Sequence, residues 1–195
     1  AQKTASQGIW AVGIQFNTSA VTMSDKTDTI SAIFSKNLRL DSNSTAAPFA
    51  LLNGASIDLK NGNNTIAIGG YLPANTIIFR VDKQSKLLSG KNQDKISFDL
   101  KDSPTHPGTE IFQYALIEGH VDLGAGNDSI ASTNKLPAST SGENSRFIIS
   151  EQGSLNLGDG NDSIDLRDAS IDIMNGKTML GAGSDRITGK RLELK

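Results

Sequence analysis

Apolar and polar residues alternate along most of the chain, in short runs that turns rich in glycine and asparagine separate. Clear examples are residues 56–59, 65–68 and 95–100, where an apolar side chain occupies every second position. A period of two places one side of each run against a core and the other side toward solvent, which is typical of a β-strand. The pattern therefore predicts an all-β protein.

One octet occurs three times in the C-terminal half of the chain, with the form L-G-x-G-[NS]-D-x-I. Its copies occupy residues 123–130, 157–164 and 180–187. The two glycines permit positive φ angles, and asparagine or aspartate can hydrogen-bond within a turn. The final isoleucine is β-branched and favours a strand. Each octet is therefore predicted to form a tight turn that leads into a strand.

Fainter copies of the octet at residues 24–30, 60–66 and 90–96 extend the pattern upstream. The intervals between the anchor positions of the six copies are 36, 30, 34, 34 and 23 residues. A repeat near 34 residues is typical of a solenoid, in which each coil buries its apolar side against its neighbours. We therefore predict one parallel β-solenoid domain over residues 1–195. The anchors are Asp28, Asn64, Asp94, Asp128, Asp162 and Asp185.

Four segments depart from this rhythm. Residues 101–110 and 134–146 are polar and contain proline, so they are predicted to be loop insertions. Residues 1–23 carry one or two apolar strands, which form either an N-terminal cap or a strand that adds to the edge of a neighbouring subunit. Residues 30–53 hold the best candidate for a short helix, around residues 48–52, although a loop over one end of the solenoid fits as well.

Composition narrows the classes of partner. The chain has 19 basic and 21 acidic residues, and without a basic stripe we expect neither nucleic acid nor an anionic membrane surface as a partner. No apolar run approaches the roughly 18 residues that a membrane helix needs. The absence of cysteine excludes disulfides and thiolate metal ligands. Residues 1–4 fit either a mature terminus left by signal cleavage or an arbitrary boundary.

Catalytic signatures are missing from the sequence. His106 lies in a predicted loop, and His120 is predicted to point outward from a strand. No P-loop, H-E-x-x-H motif, EF-hand loop or dinucleotide fingerprint occurs. The sequence therefore gives no reason to predict an enzyme from its motifs alone.

The octet resembles the G-G-x-G-x-D-x-U-x repeat of the RTX, or hemolysin-type, calcium-binding proteins. The middle copy matches it at Gly158, Gly160, Asp162 and Ile164, with leucine in place of the first glycine. In that family, aspartate carboxylates and turn carbonyls of successive coils enclose calcium in a parallel β-roll. The resemblance implies Ca²⁺ as a cofactor. The implied ligands are carboxylates of Asp128, Asp162 and Asp185, with Asp159 as a further candidate, and turn carbonyls near Gly124, Gly126, Gly158, Gly160, Gly181 and Gly183.

The spacing of the octets differs from that of the family, whose repeats run in tandem. Here one octet occurs per 34 or 23 residues, so each coil is wider and has one such corner. We expect sites between Asp128 and Asp162 and between Asp162 and Asp185, because carboxylates about 5 Å apart repel each other without a cation. The alternative is that the corners are plain turns with hydrogen-bonded ladders and no ion. Upstream, only Asp94 remains a candidate ligand.

Two functions follow from these observations. The first is a secreted, calcium-binding structural or adhesive β-solenoid without enzymatic activity, which self-associates in a surface layer or filament or serves as a module of a large cell-surface adhesin. The second is a right-handed β-helix that binds or cleaves cell-surface polysaccharide. Its acidic group would be Asp159, Asp162, Asp165 and Asp168, with Arg167 as a nearby base. A groove that carries both acids and a base would favour the second function.

Overall fold

The structure, a computed structural model, describes residues 10–34, 45–71, 76–101, 112–133 and 145–195. Within these ranges the chain forms seventeen β-strands and no helix. The strands pair in parallel in an 11-stranded and a 6-stranded sheet. The prediction of a parallel β-solenoid is therefore confirmed.

Each coil of the solenoid passes through three faces in the same order. Face 1 contains β1 (Trp10–Asn17), β4 (Thr45–Leu52), β7 (Thr76–Val81), β10 (Phe112–Ile117) and β13 (Arg146–Ile149). Face 2 contains the short strands β2 (Ala20–Thr22), β5 (Ser56–Asp58), β8 (Lys86–Leu88), β11 (His120–Asp122), β14 (Ser154–Asn156) and β16 (Lys177–Met179). Face 3 contains β3 (Thr29–Phe34), β6 (Thr65–Tyr71), β9 (Lys95–Lys101) and β12 (Ser129–Ser132). The long strands β15 (Ser163–Ile173) and β17 (Arg186–Leu194) run from face 3 into face 1 of the next coil.

The strand register follows the predicted repeat. The residues that directly follow the six anchors pair in one continuous row across face 3, and the isoleucines one position later form a second row. Thus the faint copies of the octet occupy the same corner of the solenoid as the three clear copies. The residues of the first row are Thr29, Thr65, Lys95, Ser129, Ser163 and Arg186.

The core is a narrow column of aliphatic side chains with a few aromatic rings. Ile66, Ile130 and Ile164 are each 1% exposed and stack along face 3. On face 1, the rings of Phe49 and Phe79 stack with their centroids 5.3 Å apart. Burial of side chains of this size contributes about 1.5–3 kcal/mol each, so stacking of coils provides most of the stability.

The expectation of a helix or loop over residues 48–52 is wrong, because these residues lie in β4. This strand pairs with β1 on one side and with β7 on the other. Alternate residues Phe49 and Leu51 are fully buried in the core. Pairing with two neighbouring strands therefore outweighs the helix propensity of alanine and leucine in this short run.

The other segments that depart from the repeat are described only in part. In the N-terminal segment, β1 and β2 pair with β4 and β5 of the same chain, while residues 1–9 lie outside the described ranges. Of the two predicted insertions, only the ends are described: Lys101 ends β9, and Arg146 begins β13. Most of both insertions, including His106, falls on residues 102–111 and 134–144, outside the described residues. Among the described residues, none forms a helix with the length and apolar character required to cross a membrane.

Candidate functional site

A ladder of aspartate and asparagine side chains joins the coils at the corner between face 2 and face 3. At each step, the Oδ1 atom of one anchor accepts a hydrogen bond from the backbone N–H of the anchor in the preceding coil. The five distances, in chain order, are 3.0, 2.9, 2.7, 2.7 and 3.0 Å. We call this row the Asx ladder. Its acceptors are Asn64, Asp94, Asp128, Asp162 and Asp185.

The second polar atom of each anchor meets different surroundings from coil to coil. In Asn64, the Nδ2 atom donates to the carbonyl oxygens of Leu59, Lys60 and Gly62 at 3.3, 3.5 and 3.2 Å. In Asp94, the Oδ2 atom accepts a 2.6 Å hydrogen bond from the hydroxyl of Ser89. These two anchors are therefore satisfied by groups of the protein itself.

Asp128 and Asp162 differ, because their Oδ2 atoms are buried and have no hydrogen-bond partner among the described residues. Each of these residues is 1% exposed. Burial raises the pKa of Asp128 to about 7, with a further increase from the neighbouring carboxylates of Asp94, Asp162 and Asp122. Burial also raises the pKa of Asp162. A buried carboxylate oxygen without a donor is costly, so both positions call for a proton or a cation.

The backbone of each octet is shaped by its two glycines. The φ angles are 88° and 151° at Gly124 and Gly126, and 94° and 155° at Gly158 and Gly160. A Cβ atom on Gly158 would lie 1.3 Å from the carbonyl oxygen of Gly124, and one on Gly160 would lie 1.4 Å from that of Gly126. The glycines are therefore required both by the conformation of the turn and by the close approach of successive coils.

The coil of Asp94 has a different corner. None of its residues between Ser89 and Asp94 has a positive φ, although all of them are described. Ser89 also replaces the leucine that begins each octet and that is buried in the first two, at Leu123 and Leu157. Asp94 thus combines an internal hydroxyl donor with a different turn, and it is the weakest candidate ligand among the buried aspartates of the ladder.

The remaining predicted residues occupy varied positions. Asp185 belongs to the third octet, is half-buried and accepts the last hydrogen bond of the Asx ladder. In its turn, Gly181 and Gly183 have φ angles of 91° and 150°. Asp159 is exposed at its corner and forms a backbone bridge with Ala125. Within the described ranges, no group of three or more histidine, aspartate or glutamate side chains is placed to hold a metal ion.

The acidic residues of the polysaccharide hypothesis do not form a single group on the surface. Asp162 is buried in the ladder, whereas Asp165 is bound by Arg167 on the surface of β15, with Nη2 and Oδ2 3.0 Å apart. The side chain of Asp168 is not among those that the structure describes.

A polar cleft on face 1 was not anticipated from the sequence. It has a volume of about 500 Å³ and is lined by both acids and bases. Asp172 is 1% exposed there and pairs with Arg146, while Oδ1 of Asp172 has no partner among the described residues. The partners are 26 residues apart in sequence, so only the strand register brings them together. The lining residues are Arg146, Ser170, Asp172, Lys190, Arg191, Glu193 and Lys195.

Comparison with known proteins adds no relative. No protein-family model, curated protein or solved structure matches this chain. The similarity to the RTX repeat therefore rests on the octets alone. The geometry of the corners has to support any functional proposal by itself.

Proposed function

We propose that the protein is a calcium-binding structural β-solenoid that acts outside the cell. The observation that carries the proposal is the pair of buried, unpartnered Oδ2 atoms of Asp128 and Asp162. Both lie in corners that resemble the RTX repeat in sequence and that have the paired positive φ angles of a glycine turn. A cation at each corner would balance the carboxylate that the fold buries there.

The chemistry of the donors fits calcium. Calcium prefers oxygen ligands and accepts carboxylates, backbone carbonyls and water in a flexible shell of six to eight. Asp128 and Asp162 supply carboxylates, and the glycine turns supply carbonyls. Asp185, which is partly exposed, would bind in a corner open to water. Calcium would thus fix the conformation of the glycine turns at these corners.

A stack of coils locked by calcium suits a mechanical role. Extracellular calcium modules work at millimolar or slightly lower calcium concentrations, so such a protein would be stabilised after export. We propose that it serves in a surface layer, an extracellular filament or an adhesin, with self-association as its mode of assembly. The support is the continuous parallel stack and the Asx ladder, neither of which needs a catalytic residue.

Thermal unfolding in calcium and in chelator tests this proposal. Calcium at about 100-fold its dissociation constant is expected to add about 2.7 kcal/mol for each occupied corner. For a chain of this length, that corresponds to an increase of roughly 5–10 °C in the unfolding midpoint per corner. The Asp128→Asn/Asp162→Asn double variant should lose most of this increase, because an asparagine can satisfy its own corner as Asn64 does.

Asp94→Asn is the matched control, since Asp94 occupies the same ladder but already has a hydroxyl donor. It should keep the full response to calcium. Equal midpoints in calcium and in EDTA for the unmodified protein would overturn the calcium proposal. Light scattering on the same samples tests self-association, and scattering that does not increase with calcium would contradict calcium-driven assembly.

Polysaccharide binding is the second candidate function, and the cleft on face 1 favours it. The cleft carries the two carboxylates of Asp172 and Glu193 beside several cationic side chains. Lys190 would pair with the carboxylate of a uronic acid unit, whereas Arg191 already forms an ion pair with Glu193 of the same cleft. Calorimetric titration with acidic and neutral oligosaccharides tests this function, and absence of heat with both would exclude it.

A further inference from the structure

The side-chain amide of Asn64 marks a position in its corner where three carbonyl oxygens converge. The carbonyls belong to Leu59, Lys60 and Gly62, all in the same turn as Asn64 itself. The positively polarised NH₂ group is therefore surrounded by acceptors from a single coil. A small cation would find the same oxygen atoms at this position.

The octet corners share the backbone shape of the Asn64 corner. Each has two positive φ angles at matching positions, which are 61° and 122° at Lys60 and Gly62, and 94° and 155° at Gly158 and Gly160. Asn64 and Asp162 also belong to the same ladder and use Oδ1 in the same way. By this equivalence, Oδ2 of Asp162 would correspond to the Asn64 amide nitrogen, and the carbonyls of residues 157, 158 and 160 would converge near it.

The first carboxylate oxygen is already engaged between coils. Oδ1 of Asp162 accepts the backbone N–H of Asp128 at 2.7 Å, and Oδ1 of Asp128 accepts that of Asp94 at 2.7 Å. Only Oδ2 is left without a partner in these two residues. The ladder contacts between coils thus use Oδ1, and Oδ2 is left available for an ion.

We propose that each octet corner binds one calcium ion within its own coil, between the second carboxylate oxygen and the carbonyls of its own turn. This differs from the sequence-based expectation of ions shared between Asp128 and Asp162 or between Asp162 and Asp185. The amide of Asn64 is a built-in substitute for such an ion, which explains why that corner folds with the same shape. The inference rests on the proposed calcium binding and specifies how each site is built.

The Asp94 corner lacks the features of such a site. Its turn lacks the two positive φ angles, and Ser89 already donates to Oδ2 of Asp94. We therefore assign no ion to this coil. The site requires an octet-shaped turn together with a carboxylate that has no internal donor.

Binding stoichiometry tests the proposal, with calcium as the probe in isothermal titration calorimetry. The unmodified chain should bind one ion for each of its three octets. Asp162→Asn should bind one ion fewer. Asn64→Asp should bind one ion more, because it replaces the amide with a carboxylate in a corner that already has the required shape. Asp94→Asn, the matched control, should leave the count unchanged.

Ions shared between coils give a different result, since Asp162 would then contribute to both shared sites. Loss of all binding in Asp162→Asn, with circular dichroism unchanged, would overturn the single-coil arrangement and leave the calcium proposal standing. A lack of any extra ion in Asn64→Asp, in a variant that still folds, would also overturn it. Absence of calcium binding to the unmodified chain would overturn the proposed function as well.

Discussion

Replacement of Gly158 with alanine is expected to destabilise the protein by more than about 4 kcal/mol, which is exceptional for a single substitution. Two effects act together. The φ angle of Gly158 is 94°, and a side chain at such an angle costs about 1–2 kcal/mol. The added Cβ would also lie 1.3 Å from the carbonyl oxygen of Gly124, so one of the two coils must move. Such movement would break the nearby rungs of the Asx ladder.

Gly54→Ala separates the two effects, because Gly54 has a similar φ angle of 81° but its nearest neighbouring atom would be 4.0 Å from the new Cβ. This control should lose only the conformational part, about 1–2 kcal/mol. Urea unfolding followed by circular dichroism measures both variants. Equal losses would show that the clash of the added Cβ with the preceding coil adds no cost at the octet corner.

Without calcium, the protein is expected to lose stability as the pH rises from about 4 to about 7. The pKa of Asp128 increases from an ordinary value of 3.8 to about 7 in the folded chain, with burial as the main cause. In this range the folded state therefore binds more protons than the unfolded state, and the free energy of unfolding falls with increasing pH. From one group the fall is at most about 4 kcal/mol.

Other carboxyl groups also affect how the free energy of unfolding changes with pH. The pKa values of Asp94 and Asp162 are also raised by burial, so they act in the same direction. The pKa of Asp58 is lowered by its hydrogen bond with Lys60. Burial acts to raise the pKa of Asp82, but hydrogen bonds from Ser85, Asn53 and Gln84 together lower it. Their stabilising effect is complete above the ordinary carboxyl pKa and is lost only in more acidic solution, outside the range considered.

Guanidinium unfolding at several pH values in EDTA measures this slope. Asp128→Asn should reduce it, because asparagine does not titrate, and Asp128→Asn/Asp162→Asn should reduce it further. Excess calcium should reverse the sign, since the ion favours the ionised carboxylates. A calcium-free protein whose stability rises between pH 4 and pH 7 would contradict the assignment of buried, unpartnered carboxyl groups.

Much of the fold could be predicted from the sequence, because strands and corners are local features. Alternation predicts the strands, and the octet places every anchor at one corner, including the faint copy that ends with Asp28 and Ile30. The prediction failed over residues 48–52, where a short run of alanine and leucine becomes a central strand. The strand conformation of these residues depends on pairing with β1 and β7, which are distant in sequence.

The candidate site was predictable as a position but not as a chemical environment. The octets identify Asp128 and Asp162, yet whether a second oxygen has a partner depends on contacts that no motif describes. Ser89 supplies a donor for the second oxygen in one coil, and in another coil the amide of Asn64 donates to backbone carbonyls instead. The pairing of Arg146 with Asp172 is also set by strand register, which the local sequence does not contain.

In the Asx ladder, every coil makes the same type of contact with the next coil. Each rung uses only the backbone N–H of one anchor and the Oδ1 atom of the next, whether that anchor is asparagine or aspartate. A duplicated coil would therefore find a donor on one side and an acceptor on the other without any compensating substitution. Gene duplication could lengthen this protein by about 4.8 Å per added coil, so its length is free to evolve independently of its cross-section.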